Sequence, residues 1–139
     1  MIILDTDVLS GLMLPRPDAA VAAWLDRQAR VSIWTTAITI LEVQYGIELL
    51  PIGARRTQLE QTFDRLRVEK LEGRVSPFDA TAAEATAALM AARRRSGRAG
   101  ELRDAMIAGI AIARHAMLAT RNTRHFADLP VSVVDPSAS

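Results

Sequence analysis

The chain has 139 residues, half of them apolar and 24% charged, which suits one folded domain over residues 1–139 and excludes a disordered segment. It has no cysteine and only two histidines, His115 and His125, so disulfides, thiolate metal sites, cysteine nucleophiles and histidine-rich zinc cages are excluded. Seventeen basic against sixteen acidic side chains leave a net charge of +1, so attraction for a charged partner must come from local clustering.

Residues 1–4, Met1-Ile2-Ile3-Leu4, form a continuous apolar run that predicts a buried parallel strand ending at Asp5. A short helical stretch from about Asp7 is broken by Pro15 and Pro17. Asp18 can cap a helix over residues 19–29, with Val21, Trp24 and Leu25 at helical spacing. Residues 31–34 predict a second strand. Thr35 and Thr36 then offer caps for a helix that stops at Pro51. Residues 53–71 carry Leu59, Phe63 and Leu66 on one face of a long amphipathic helix. Residues 75–78 predict a third strand, and Asp79 or Thr81 opens an alanine-rich helix that ends near Gly97. Residues 103–115 are helical and apolar almost all round, hence buried. Residues 116–120 and 131–134 complete the strands, with a short helix between them.

Alternating strands and helices predict an α/β fold, a three-layer α/β/α domain around a mostly parallel sheet. The longest apolar run, residues 105–113, is far shorter than the ~20 residues a bilayer span takes. The N-terminal run meets an acid at Asp5 and lacks the pattern of an export signal, so a cytoplasmic protein without membrane contact is expected.

Ligand sites in such sheets lie at the carboxyl ends of the strands. Asp5 stands there, although a turn or capping aspartate would stand there too. Glu42 lies beside Ile38, Leu41 and Tyr45 on its helix, with no lysine or arginine within a helical turn. It therefore either needs a partner or reaches water at the edge of the buried stripe. Asp104 opens the buried helix, where an acid also complements the helix dipole. That helix leads antiparallel into the fourth strand and so starts at the same sheet edge as Asp5. Converging carboxylates repel unless protonated or bridged by a cation, and oxygen ligands without sulfur favour Mg²⁺ or Mn²⁺. Such a cation grips phosphate and activates water, which points to phosphodiester hydrolysis.

Residues 1–10, Met1-Ile2-Ile3-Leu4-Asp5-Thr6-Asp7-Val8-Leu9-Ser10, are followed by Ile40-Leu41-Glu42-Val43-Gln44-Tyr45-Gly46, Arg103-Asp104-Ala105-Met106-Ile107-Ala108 and Leu118-Ala119-Thr120-Arg121-Asn122-Thr123-Arg124-His125-Phe126. In this order they resemble the successive motifs of the PIN-domain ribonucleases, closest to the VapC and FitB-like toxins of bacterial toxin–antitoxin modules. The resemblance covers essentially the whole chain. It implies an α/β/α domain, Mg²⁺- or Mn²⁺-dependent endonucleolytic cleavage of RNA, a cognate VapB/FitA-like antitoxin in a hetero-oligomer, and a homodimer. Asp5, Glu42 and Asp104 match the family's acidic positions as catalytic residues and metal ligands, Glu42 through water. Thr6 matches the hydroxyl position beside the first acid.

Asn122 stands where a fourth acid is common, and His125 stands where an aspartate often precedes the phenylalanine. That departure weakens a second metal site more than the first. Arg121 and Arg124 flank Asn122 and are placed to meet an RNA phosphate, together with Thr6. Within the cluster Arg93-Arg94-Arg95 and Arg98, at least half are expected to be a solvated helix end.

Residues 2–8 also resemble the aspartate-nucleophile motif of haloacid-dehalogenase-type phosphatases, in which Asp5 would attack phosphorus. That family needs a lysine, and the chain's single lysine, Lys70, falls in a helix; no late acidic pair follows. A catalytically inactive PIN-like binding module is the third reading, favoured only by the missing fourth carboxylate.

Overall fold

The computed structural model describes residues 1–98 and 100–138. The apolar start of the chain forms β1 (Ile2–Leu4), followed by α1 (Thr6–Leu12) and α2 (Ala19–Asp26). Next come β2 (Ile33–Thr36), α3 (Ala37–Glu48) and α4 (Ala54–Arg65), whose last part continues as a π-helical turn, Leu66–Lys70. The second half holds β3 (Val75–Ser76), α5 (Ala80–Arg95), α6 (Leu102–Arg114), β4 (Met117–Ala119), a 3₁₀ turn (Thr123–Phe126) and β5 (Val133–Val134).

All five strands pair in parallel in the order β3-β2-β1-β4-β5. From β1 the chain winds outward through β2 and β3, then crosses over to β4 and β5 on the other side. The order therefore reverses between β1 and β4, and a crevice opens at the carboxyl ends of those two strands.

Strand periodicity divides the core in two. Ile2 and Leu4 pack with Val8, Leu9, Ile33, Val43, Ile47, Phe63 and Leu66 under α1 to α4. Ile3 and Leu118 face the other way, onto Ile107, Ile110, Ala111 and Leu89 of α5 and α6. A sheet covered on both faces is the three-layer α/β/α arrangement expected, here wholly parallel.

Several boundaries differ from the sequence reading. The second strand is displaced to Ile33–Thr36, and Arg30–Ser32 form a 3₁₀ turn in which Val31 is 72% exposed. Thr35 is therefore a strand residue, and Thr36 alone caps α3, its Oγ1 accepting from Thr39 N at 3.0 Å. The third strand stops before Pro77, which cannot donate to a ladder. Helix α2 ends at Asp26 and the last strand begins only at Val133. Among the described residues no helix is long and apolar enough to cross a membrane.

Candidate active site

Asp5 sits at the crevice. Its backbone N–H donates to Ala119 O at 3.0 Å, tying the end of β1 to the end of β4. Its Oδ1 accepts from Val8 N at 2.9 Å, so it caps α1, and Thr120 donates to the same carboxylate. The capping and functional readings of Asp5 thus describe one residue. It is 6% exposed. Burial pushes its carboxyl up to about 6, against the hydrogen bonds from Thr120 and Val8, with the charges of Asp7 and Asp104 adding to the rise.

Glu42 is reached through a line of hydroxyls. Thr36 Oγ1 donates to Thr39 Oγ1 at 3.3 Å, Thr39 Oγ1 lies 3.1 Å from Thr6 Oγ1, and Thr6 donates to Glu42 Oε1 at 2.6 Å. Because the Thr6 proton points to the carboxylate, Thr39 donates to Thr6, and the donors run one way along the line. The expected buried stripe on this helix is corrected: Leu41 and Tyr45 are 55% and 57% exposed, and the buried positions are Ile38, Thr39, Val43 and Ile47. Glu42 follows Thr39 by three positions, so it is turned toward Thr6 and the crevice. Its partner is not on its own helix: Arg103 Nε lies 3.7 Å from its Oε2.

Asp104 stands in the first turn of α6, capped by Glu101, whose Oε2 accepts from Asp104 N at 3.1 Å. Its carboxyl is held above the usual range, by burial first and then by the charges of Glu101, Glu42 and Asp7, while the His125 imidazole lowers it. The start of α6 therefore shares the sheet edge of Asp5, as the topology required.

Asn122 donates from Nδ2 to Asp7 Oδ2 at 3.3 Å and from its backbone to Thr120 Oγ1 at 3.0 Å. Arg121 is paired with Asp18 through Nη2 at 3.2 Å, and Arg124 is exposed beside the shallow depression that also contains Phe126 and Leu129. Arg93 is removed from the basic surface: it is 7% exposed and paired with Asp128. Lys70 lines a cavity with Leu25, Leu66 and Leu71 on the α2–α4 side of the molecule, which removes the cation a phosphatase mechanism needs beside Asp5.

Glu101, Arg103, Thr39 and Thr120 were not singled out in the sequence. Glu101 stands three residues before Asp104, the spacing of a helix cap, which is the one local signal that could have found it.

Among the described residues no three carboxylate or imidazole side chains are gathered closely enough to hold a metal ion in common. Glu42 is turned to Thr6 and Arg103, and Asn122 binds Asp7. The donor set nevertheless fits a hard divalent cation, since Asp5, Asp104, Glu42 and Asn122 offer only oxygen ligands. Mutual repulsion contributes to raising the Asp5 and Asp104 carboxyls, and such a cation would relieve it.

The family model for the PIN domain matches residues 2–131. A VapC ribonuclease, Y4jK, of Sinorhizobium fredii is 38% identical over 136 residues, covering 98% of this chain and 97% of the relative. Toxin FitB of Neisseria gonorrhoeae is 32% identical, covering 98% of both chains. In the solved structure of FitAB bound to an IR36 DNA fragment, one chain superposes with a TM-score of 0.90 at 31% identity, covering 100% of this chain and 97% of that one.

Proposed function

This chain belongs to the PIN-domain family, and we propose that it is a metal-dependent endoribonuclease acting as the toxin of a bacterial toxin–antitoxin pair, residues 1–139 forming one PIN domain. The observation that carries the reading is that Asp5 after β1 and Asp104 at the start of α6 feel each other's charge, as do Asp104 and Glu42 of α3, so three separate elements turn acids toward one sheet edge. The relatives named VapC ribonuclease and toxin FitB support it.

In this proposal Asp5 and Asp104 would hold Mg²⁺ or Mn²⁺ directly, and Glu42 would act through a water. Bound there, the cation supplies the charge that grips a phosphate and activates a water for attack on phosphorus. Thr6 holds Glu42 by its 2.6 Å hydrogen bond and so fixes which way the carboxylate faces. Asn122 offers a neutral oxygen, so one strong cation site is expected and a second only with oxygens from the RNA. Arg121 and Arg124, at the rim beside Asn122, hold the RNA backbone, Arg121 leaving Asp18 to do so.

The partner proposed is a small VapB/FitA-like antitoxin, in keeping with the FitAB complex, and the proposed means of neutralisation is a basic side chain placed among the acids. A homodimer is proposed through α3, where Leu41, Tyr45 and Leu49 are 55–67% exposed at helical spacing and Ile52 continues the stripe at 94%. The setting is the cytoplasm.

Asp5→Asn and Asp104→Asn should abolish RNA cleavage by the purified protein while its circular dichroism stays unchanged. Undiminished cleavage by either variant would overturn the reading. Asp7→Asn should keep substantial nuclease activity, and a covalent phosphate found on Asp5 would establish the phosphatase chemistry instead. Leu49→Glu should convert a dimer to a monomer in light scattering.

A further inference from the structure

Arg103 is a positive charge set among the acids of the crevice, and nothing in the proposed reaction gives it a task. Its Nε lies 3.1 Å from Glu101 Oε1 and 3.7 Å from Glu42 Oε2. Both carboxylates are themselves anchored. Glu101 caps α6 through its other oxygen, and Glu42 is held by Thr6. Arg103 therefore has a fixed berth on two fixed acids, next in sequence to Asp104.

The contacts do not explain the residue as a stabilising element. Its side chain is 44% exposed, and exposed ion pairs contribute little to folding. Glu101 and Arg103 are also two positions apart, so they are not neighbours on a helix face. The hydrogen bond that its side chain donates is made by Nε, to Glu101. Among the described residues neither Nη group donates a hydrogen bond. A guanidinium whose outer fork makes no hydrogen bond, beside a carboxylate proposed to act on the cation, can take two oxygens of a phosphate.

We propose that Arg103 is a substrate-binding residue of the crevice, its Nη pair taking an RNA backbone phosphate, and that in the absence of RNA it competes with the divalent cation for Glu42. The proposal rests on the ribonuclease reading. It carries a consequence that a plain phosphate contact would not. When RNA draws Arg103 away, Glu42 loses a competing positive charge, so RNA raises affinity for the cation. By linkage the cation must raise affinity for RNA by the same factor.

The test uses fluorescence anisotropy with a single-stranded phosphorothioate RNA oligonucleotide, in Mg²⁺ and in EDTA, together with Mn²⁺ binding followed by electron paramagnetic resonance without RNA. Arg103→Ala should weaken RNA binding in Mg²⁺ about tenfold and make its salt dependence shallower by about 0.7. The same variant should bind Mn²⁺ about two- to fivefold more tightly than wild type. Arg103→Lys should keep the salt dependence and recover part of the RNA affinity, since it restores the charge without the fork. Wild type that binds RNA no better than Arg103→Ala overturns the proposal and leaves the ribonuclease reading standing. Weaker binding of both RNA and Mn²⁺ by Arg103→Ala, showing that the residue only shapes the crevice, overturns it too. Wild type that neither binds nor cleaves RNA overturns the ribonuclease reading and this proposal with it.

Discussion

Thr6 donates its hydroxyl proton to Glu42 across 2.6 Å, joining the first turn of α1 to the middle of α3. The bond closes the hydroxyl line from Thr36 and decides which way the glutamate faces. Thr6→Val keeps the shape of the side chain but leaves Glu42 Oε1 and the Thr39 hydroxyl without their partner. A loss of about 1–3 kcal/mol of stability is expected from denaturant unfolding. Cleavage should fall by at least about tenfold because Glu42 is no longer held. Thr6→Ser should restore most of both. A Thr6→Val enzyme with full activity would show that Glu42 finds its position without help.

The arginine cluster at the end of α5 divides sharply. Arg93 donates Nε to Asp128 Oδ2 at 2.9 Å and Nη2 to Asp128 Oδ1 at 3.1 Å, and Nη2 also reaches His125 O at 2.8 Å. This clamp fastens the 3₁₀ turn that carries His125 to α5. Removing Asp128 would strand a guanidinium whose side chain is only 8% exposed. Breaking a fully buried pair costs about 3–5 kcal/mol, and Asp128 keeps some contact with water, so Asp128→Asn should cost on the order of 2–3 kcal/mol. Arg94→Ala and Arg95→Ala, on exposed positions, should change the unfolding midpoint very little.

Gly109 and Gly46 make opposite cases. A Cβ at Gly109 would lie 1.8 Å from Thr86 Oγ1 and 2.9 Å from Ala82 O, so α5 and α6 touch through this glycine. Gly109→Ala should destabilise the protein by about 1–3 kcal/mol or more through overpacking, in spite of alanine's helix propensity. Adding Thr86→Ala should recover part of the loss, because the Ala82 carbonyl still obstructs. At Gly46 nothing beyond its own helix backbone and chain neighbours would lie within 4 Å of a Cβ, and alanine there should stabilise by about 0.5–1 kcal/mol. Thermal unfolding of the three variants tests the contrast.

Much of this arrangement was legible because its causes are local. The run Ile2-Ile3-Leu4 is a strand, and Asp18, Thr36 and Asp79 cap the helices that follow them, each accepting backbone N–H bonds. Asp104 reached the edge of Asp5 because the direction of α6 follows from the strand after it. What failed depended on contacts distant in sequence. The face of α3 that is buried is set by packing against α1, α4, α6 and β2, so Leu41 and Tyr45, apolar by type, were misplaced. Arg103 lies 61 positions beyond Glu42 in the numbering, and no spacing rule links them. The π-helical turn at Leu66–Lys70 has no composition signal either.

Asp5 also makes the stability of the metal-free protein depend on pH in an unusual direction. In the folded chain its carboxyl holds a proton up to about pH 6, against 3.8 as its ordinary value, because burial disfavours the charge. Between those two values the folded state binds more protons than the unfolded one, so stability must fall as pH rises. The stabilisation is fully present below the ordinary value and is lost on passing the folded one, up to about 3 kcal/mol. Asp104, also raised, acts in the same sense. Glu101, Asp128 and Asp135 are lowered, so their opposing effect falls below the ordinary carboxylate range and leaves this window to Asp5 and Asp104. In EDTA the unfolding midpoint should therefore drop by roughly 5–10 °C from about pH 4.5 to about pH 7. Asp5→Asn should flatten most of that slope. Mg²⁺ should raise the midpoint more at about pH 7.5 than at about pH 5, since cation and proton compete for the same carboxylate. A midpoint that climbs through this window in EDTA would show that Asp5 is ionised in the folded protein without a cation.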